Sequence, residues 1–181
     1  MRKKIIIGNW KMNKTSKEVK EFFKEFNKKE FKTRSNTLYG LAIPACNIPF
    51  AIDKRVNKKF IVAAQDVSKH LSGAFTGEIS ILMLKDLGVS HVIIGHSERR
   101  IYHGETDQDV NTKAKIALEH GVIPIICVGE TLEQYESKQS KKIVEKQIKD
   151  CVKDLDLSKI VIAYEPVWAI GTGKTATNEY A

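Results

Sequence analysis

Hydrophobic positions in this chain gather into short runs, rich in β-branched residues, at 4–7, 37–43, 60–64, 91–94, 122–128 and 159–163. The runs are close to continuously apolar rather than alternating with polar residues, and turn or helix signals bound each one. That pattern predicts six parallel strands covered on both faces. Between the runs the spacing changes to a helical period. Residues 16–31 follow Thr15-x-x-Glu18, a capping-box pattern, and carry Val19, Phe22, Phe23 and Phe26 at i, i+3, i+4 and i+7. Further helices are predicted over 50–56, over 79–87 with Gly88 as the stop, over 107–120 with Gly121 as the stop, and along a longer stretch ending near Val152.

The resulting order is βαβαβαβαβαβ, with strand starts about every 31 residues, the size of one β/α crossover unit. An open six-stranded sheet and a barrel both fit this order. The polar residues favour the barrel: Asn9 and Lys11, Gln65, His96, Glu130 and Glu165 all stand just past the C-terminal ends of different strands. Gathering side chains from many strand ends is what a (β/α)8 barrel mouth does. Eight units at this spacing need roughly 250 residues, so the 181 residues correspond to one partial barrel domain, 1–181, of about six units without the last two.

Composition narrows the function classes. With 42% hydrophobic and 29% charged residues the chain can bury a single core. Its apolar runs fall far short of the ~20 residues that span a bilayer. Polar Asn9, Lys11 and Asn13 interrupt the stretch after Arg2-Lys3-Lys4 before a signal-peptide core is reached, so a cytoplasmic protein without membrane association is expected. Cys46, Cys127 and Cys151 are widely spaced and odd in number, which suggests neither a disulfide framework nor a metal site. The net charge of +8 lies wholly in residues 1–34, where twelve Lys or Arg face four Glu. A basic arm for nucleic acid is one reading, but the phenylalanines at helical spacing place these lysines on the outer face of a core-packed helix, and no nucleic-acid partner is expected.

Two segments carry candidate chemistry. In 163–175, Glu165 directly follows an apolar strand, Pro166 stiffens the chain, and Gly171 and Gly173 permit close approach to a ligand, an arrangement suited to a base beneath a lid. Gly173-Lys174-Thr175 resembles the end of a nucleotide-binding P-loop, but that motif needs glycine at position 168, which is Trp168. In 94–100, His96 leaves a buried strand as a polar helical turn begins, and free N–H groups there favour neutral imidazole. Gly8-Asn9-Trp10-Lys11 adds an amide and an ammonium from the end of the first strand.

Gly8-Asn9-Trp10-Lys11-Met12-Asn13, Gly95-His96-Ser97-Glu98-Arg99-Arg100 and the segment from Tyr164 to Lys174 together resemble the signatures of the triosephosphate isomerase family, in family order and spacing. Ala64-Gln65-Asp66 and 72–78 match as well. The resemblance implies a TIM-barrel fold and the interconversion of dihydroxyacetone phosphate and glyceraldehyde 3-phosphate in glycolysis and gluconeogenesis, with no metal or organic cofactor. It also implies site roles: Glu165 as base, His96 as proton donor to the enediolate oxygens, and Lys11 and Asn9 holding the substrate's negative charge. Glu98 would pair with Lys11, Ile170 would stand at the lid tip, and the Gly171 N–H would meet the phosphate. Thr76 would reach into a second copy, making a homodimer. The family's phosphate loops after the seventh and eighth strands have no counterpart here, so the chain by itself is expected to show at most trace activity, with exposed edges at its first and sixth strands. The alternatives are a catalytically silent fragment, one half of a split isomerase, and, on the lysine-rich start alone, a basic interaction module.

Overall fold

The computed structural model describes residues 3–28, 36–55, 59–170 and 177. Its contacts divide the chain into two compact units, Met1–Val92 with His120–Val122, and Ile93–Glu119 with Ile123–Ala181. Strand β4 continues through the division.

The first unit contains β1 (Lys4–Asn9), α1 (Ser16–Phe26), β2 (Thr37–Ala42), α2 (Ile48–Lys54), β3 (Ile61–Ala64), α3 (Ile81–Asp86) and the start of β4 (His91–Ile94). β1 pairs in parallel with β2 from Lys4↔Thr37 to Asn9↔Ala42, β2 with β3 from Gly40↔Ile61, and β3 with β4 from Ala63↔His91. The second unit continues from β4 with α4 (Ser97–His103), α5 (Asp107–Glu119), β5 (Ile123–Val128), α6 (Leu132–Glu136), α7 (Ser140–Cys151) and β6 (Val161–Tyr164). β5 and β6 are parallel, in register from Ile125↔Val161 to Val128↔Tyr164. Strands neighbour one another in chain order. Sequential parallel β/α units of this kind are those of a (β/α)8 barrel, here six of them.

The capping box forms as the Thr15-x-x-Glu18 pattern predicts. The Thr15 backbone N–H donates to the Glu18 carboxylate at 2.7 Å, and the Thr15 hydroxyl accepts from the Glu18 N–H. Behind it, Val19 and Phe23 are buried, while Phe22 packs edge-on against Trp10 with ring centres 5.0 Å apart and Phe26 lies 5.0 Å from Phe60. Full burial of Phe23 contributes about 1.5–3 kcal/mol, and the packing of these rings fixes α1 with its lysines outward. Gly88 and Gly121 end their helices at φ of 81° and 74°, the left-handed conformation that closes a last turn without a Cβ clash.

Five expectations need correction. α1 stops at Phe26, where Asn27 caps it and sends its side-chain amide to the Lys54 carbonyl, instead of running to 31; residues 29–31 lie outside the described residues. α2 begins at Ile48 because Pro49 suits the first helical turn. The long stretch before Val152 is two helices, since Lys138 takes a positive φ of 58° between them, and Leu157–Lys159 forms a 3-10 turn capped by Asp156, which delays β6 to Val161. Finally, only β3 and β4 are buried along their whole length. β1 alternates, with Ile6 59% exposed, and Ile162 of β6 is 38% exposed, as edge strands that lack cover would be.

Candidate active site

In the first unit, the end of β1 delivers Asn9 and Lys11. The Asn9 Oδ1 accepts from the Lys11 backbone N–H at 2.9 Å and from Gln65 Nε2 at 3.1 Å. Gln65, the first residue after β3, uses the same amide nitrogen to reach the carbonyls of Lys11 at 2.9 Å and Ala42 at 3.2 Å. One amide therefore ties three strand ends together. Lys11 itself holds φ of 52°, a conformation that costs a non-glycine residue of order 1 kcal/mol or more and is tolerated where surrounding contacts dictate it.

In the second unit, His96 is the N-cap of α4. Its Nδ1 accepts the Glu98 backbone N–H at 3.2 Å. An accepting Nδ1 carries no proton, so the ring's single proton sits on Nε2, and that face turns toward Glu165, with Nε2 3.6 Å from the Glu165 Oε2. The imidazole is 12% exposed and the carboxylate 15%, which leaves both polar ends in a site of restricted solvation. Glu98 approaches the other imidazole nitrogen at 3.6 Å, with its side chain 41% exposed.

Glu165 follows β6 immediately. Its Oε2 accepts from the Ser97 hydroxyl at 2.8 Å and from the Ser97 N–H at 3.3 Å. The Cys127 thiol lies at the C-terminal end of β5; burial first, and then the nearby Glu165 carboxylate, push its pKa up. The backbone flanking Glu165 hangs on one buried carboxylate: the Tyr164 hydroxyl donates to both oxygens of Glu130 at 3.1 Å, and the Trp168 indole N–H donates to Oε1 at 2.8 Å. Tyr135 stacks on Trp168 with ring centres 4.4 Å apart. Half-buried Ile170 ends the described part of this segment, and Gly171 and Gly173 lie outside the described residues. Among the described residues no group of His, Cys, Asp and Glu is placed to hold a metal ion, and no helix is long and apolar enough to cross a membrane.

Thr76 stands in the first unit on an exposed loop after β3. The loop is closed at its base by the Ser68 N–H to the Ile79 carbonyl at 2.8 Å and by the Ser68 hydroxyl to Glu78, and His70 stacks on Phe75 at 3.7 Å. The structure thus brings His96 to Glu165 and Asn9 to Lys11, each within its unit. In the sequence Glu130 shows only as a polar strand end, and Gln65 as a strand end that also falls in the Ala64-Gln65-Asp66 match to the family. Ser97 and Cys127 had no separate signal, because their meaning depends on which strand end lies opposite.

Sequential parallel β/α units with polar side chains collected beyond the strand ends define a (β/α)-barrel enzyme. Comparison with known proteins gives the particular one. Residues 4–181 match the triosephosphate isomerase family model. Relatives named triosephosphate isomerase include those of Mesomycoplasma hyorhinis, 51% identical over 185 residues, and Mycoplasma mobile, 54% identical over 187; each match takes in all of this chain and 75% and 76% of the relative. The Clostridium botulinum Loch Maree protein is 50% identical over 184 residues, covering all of this chain and 73% of its own length. The chain belongs to the triosephosphate isomerase family. It is an isomerase of glycolysis and gluconeogenesis, interconverting dihydroxyacetone phosphate and glyceraldehyde 3-phosphate, and it spans about three-quarters of the length of these relatives.

Proposed function

We propose that Glu165 and His96 carry the proton transfers of this isomerisation, on the strength of their 3.6 Å separation and the proton placement it implies. Glu165 removes a proton from the substrate carbon beside the carbonyl. The His96 Nε2–H protonates the carbonyl oxygen, giving an enediol. Nε2 then recovers a proton from the neighbouring hydroxyl while Glu165 returns its own to the adjacent carbon, so atoms and charge balance without a redox step. Glu165 starts on Ser97 and must leave it to reach the substrate. Lys11, set by its unusual backbone and by Gln65, with Asn9 beside it, offsets the charge on the enediolate and phosphate. Ile170, at the end of the described segment beyond Trp168, stands at the lid tip.

The protein acts as one partial barrel domain, in the cytoplasm, and as a homodimer. Support for association comes from the first unit, where the Thr76 loop is held together by its own contacts and Met12, Leu71, Phe75 and Met83 are 96%, 42%, 40% and 56% exposed. Exposed Leu71 and Phe75 on the loop itself suit a protein partner. The test of the base is Glu165→Gln, which keeps shape and removes basicity. Measured in the chain extended to the full length of its relatives, turnover should fall by several orders of magnitude at nearly unchanged KM, and His96→Gln should cause a smaller loss. Turnover near the parent level in Glu165→Gln would refute the assignment.

A further inference from the structure

The backbone of Glu165 rests on Gly129. Glu165 donates its N–H to the Val128 carbonyl at 2.8 Å, and Val167 donates to the Glu130 carbonyl at 3.1 Å, so residues 128–130 continue the β5–β6 pairing beyond the strands and act as its template. Contact between the two segments is tightest at Gly129, where a Cβ would lie 1.7 Å from the Glu165 carbonyl oxygen. With no side chain of its own, Gly129 can be located only through its peptide groups. Both are taken by a single side chain of α7: the Gly129 N–H donates to Gln147 Oε1 at 2.8 Å, and Gln147 Nε2 donates to the Gly129 carbonyl at 3.1 Å. A primary amide, carrying one acceptor and one donor at fixed spacing, thus stands in for the missing rung of a neighbouring strand.

We propose that Gln147 is a positioning residue for Glu165, acting through Gly129; this rests on the reading of Glu165 as the base. Rotation of the peptides around Gly129 would carry the Glu165 backbone with it, and the two hydrogen bonds from Gln147 suppress that rotation. Gln147 sits mid-helix, half-buried, and none of its hydrogen bonds described here touches another candidate site residue. Its effect therefore belongs on the chemical step and not on substrate affinity. A misplacement of about 1 Å at a reacting group costs on the order of a hundredfold in rate, so losing the amide should cost roughly ten- to a hundredfold in kcat.

The experiment measures kcat, KM and Tm for Gln147→Met, Gln147→Glu and Glu165→Gln, each in the chain extended to the full length of its relatives. In Gln147→Met, kcat should fall by that factor with KM within about twofold. In Gln147→Glu, the ionised group still accepts from the Gly129 N–H but opposes its carbonyl. Protonation restores the donor, so the variant-to-parent kcat ratio should rise as pH is lowered. A merely structural contact would lower Tm and leave both kcat and this ratio unmoved, which would overturn the proposal. If Gln147→Met does not fold, the pH profile of Gln147→Glu decides. Parent-like turnover in Glu165→Gln would remove the base assignment and this proposal with it; an inactive Glu165→Gln beside fully active Gln147 variants would overturn the positioning role alone.

Discussion

Gly129→Ala isolates the contact on which the placement of Glu165 depends. The added methyl would sit 1.7 Å from the Glu165 carbonyl oxygen and 2.8 Å from its carbon, and real Cβ contacts stay beyond 3.0 Å. Both partners are backbone, so no rotamer change relieves the clash. Raising 1.7 Å to 3.0 Å requires a separation of about 1.3 Å, and the Glu165 N–H to Val128 bond, 2.8 Å in the structure, would open to about 4 Å, past any hydrogen-bonding distance. Displacement on this scale predicts a loss of about a hundredfold in kcat, or ~2.7 kcal/mol of barrier. The broken bond should cost a further 1–3 kcal/mol or so of stability. A coupled spectrophotometric assay and thermal melts separate the two effects. Gly88→Ala is the control: it sits at φ of 81° with nothing within 4 Å of an added Cβ, so it should lose about 1 kcal/mol of stability and no kcat. Parent-level kcat in a folded Gly129→Ala protein would refute the claim that this backbone contact sets the position of the base.

Two other outcomes test different regions. Thr76→Arg adds charge to an exposed loop that should fold normally, yet in a dimer it would bury that charge; association should weaken by at least about 3 kcal/mol, roughly two decades of Kd, and sedimentation showing an unchanged dimer with full activity would contradict the docking role. Cys46 is exposed, whereas Cys127 and Cys151 are buried, with the Cys151 thiol pushed up to about 12 by burial and then by Asp107. A disulfide reagent at pH 8 should titrate one thiol in the native protein and three after denaturation, and three fast thiols would show the core to be open.

Much of the fold could be read along the chain because its causes are local. The run at 91–94 became β4 with the same ends, Thr15 and Glu18 formed their reciprocal cap, and Gly88 and Gly121 stopped their helices. Helix α6 carries an equally legible sign, the capping box of Thr131 and Gln134, although it was not separated from the longer helical stretch. Where an end was misplaced, a neighbour outcompeted the local pattern, as when Asp156 took the Ser158 N–H and turned 157–159 away from the strand.

The sequence by itself determined the parallel β/α order, the candidate base and imidazole at strand ends, and, through its signatures, the family. These depend on residue type and spacing, which physical chemistry reads within a few turns of chain. Only the tertiary structure decided which groups meet. It put Ser97 on Glu165 with the Cys127 thiol nearby, hung Tyr164 and Trp168 on Glu130, tied Asn9 to Gln65, and gave both peptide groups of Gly129 to Gln147. Such contacts join residues 18 to 68 positions apart. Their partners are chosen by strand register and helix packing, so no local pattern in the chain marks them.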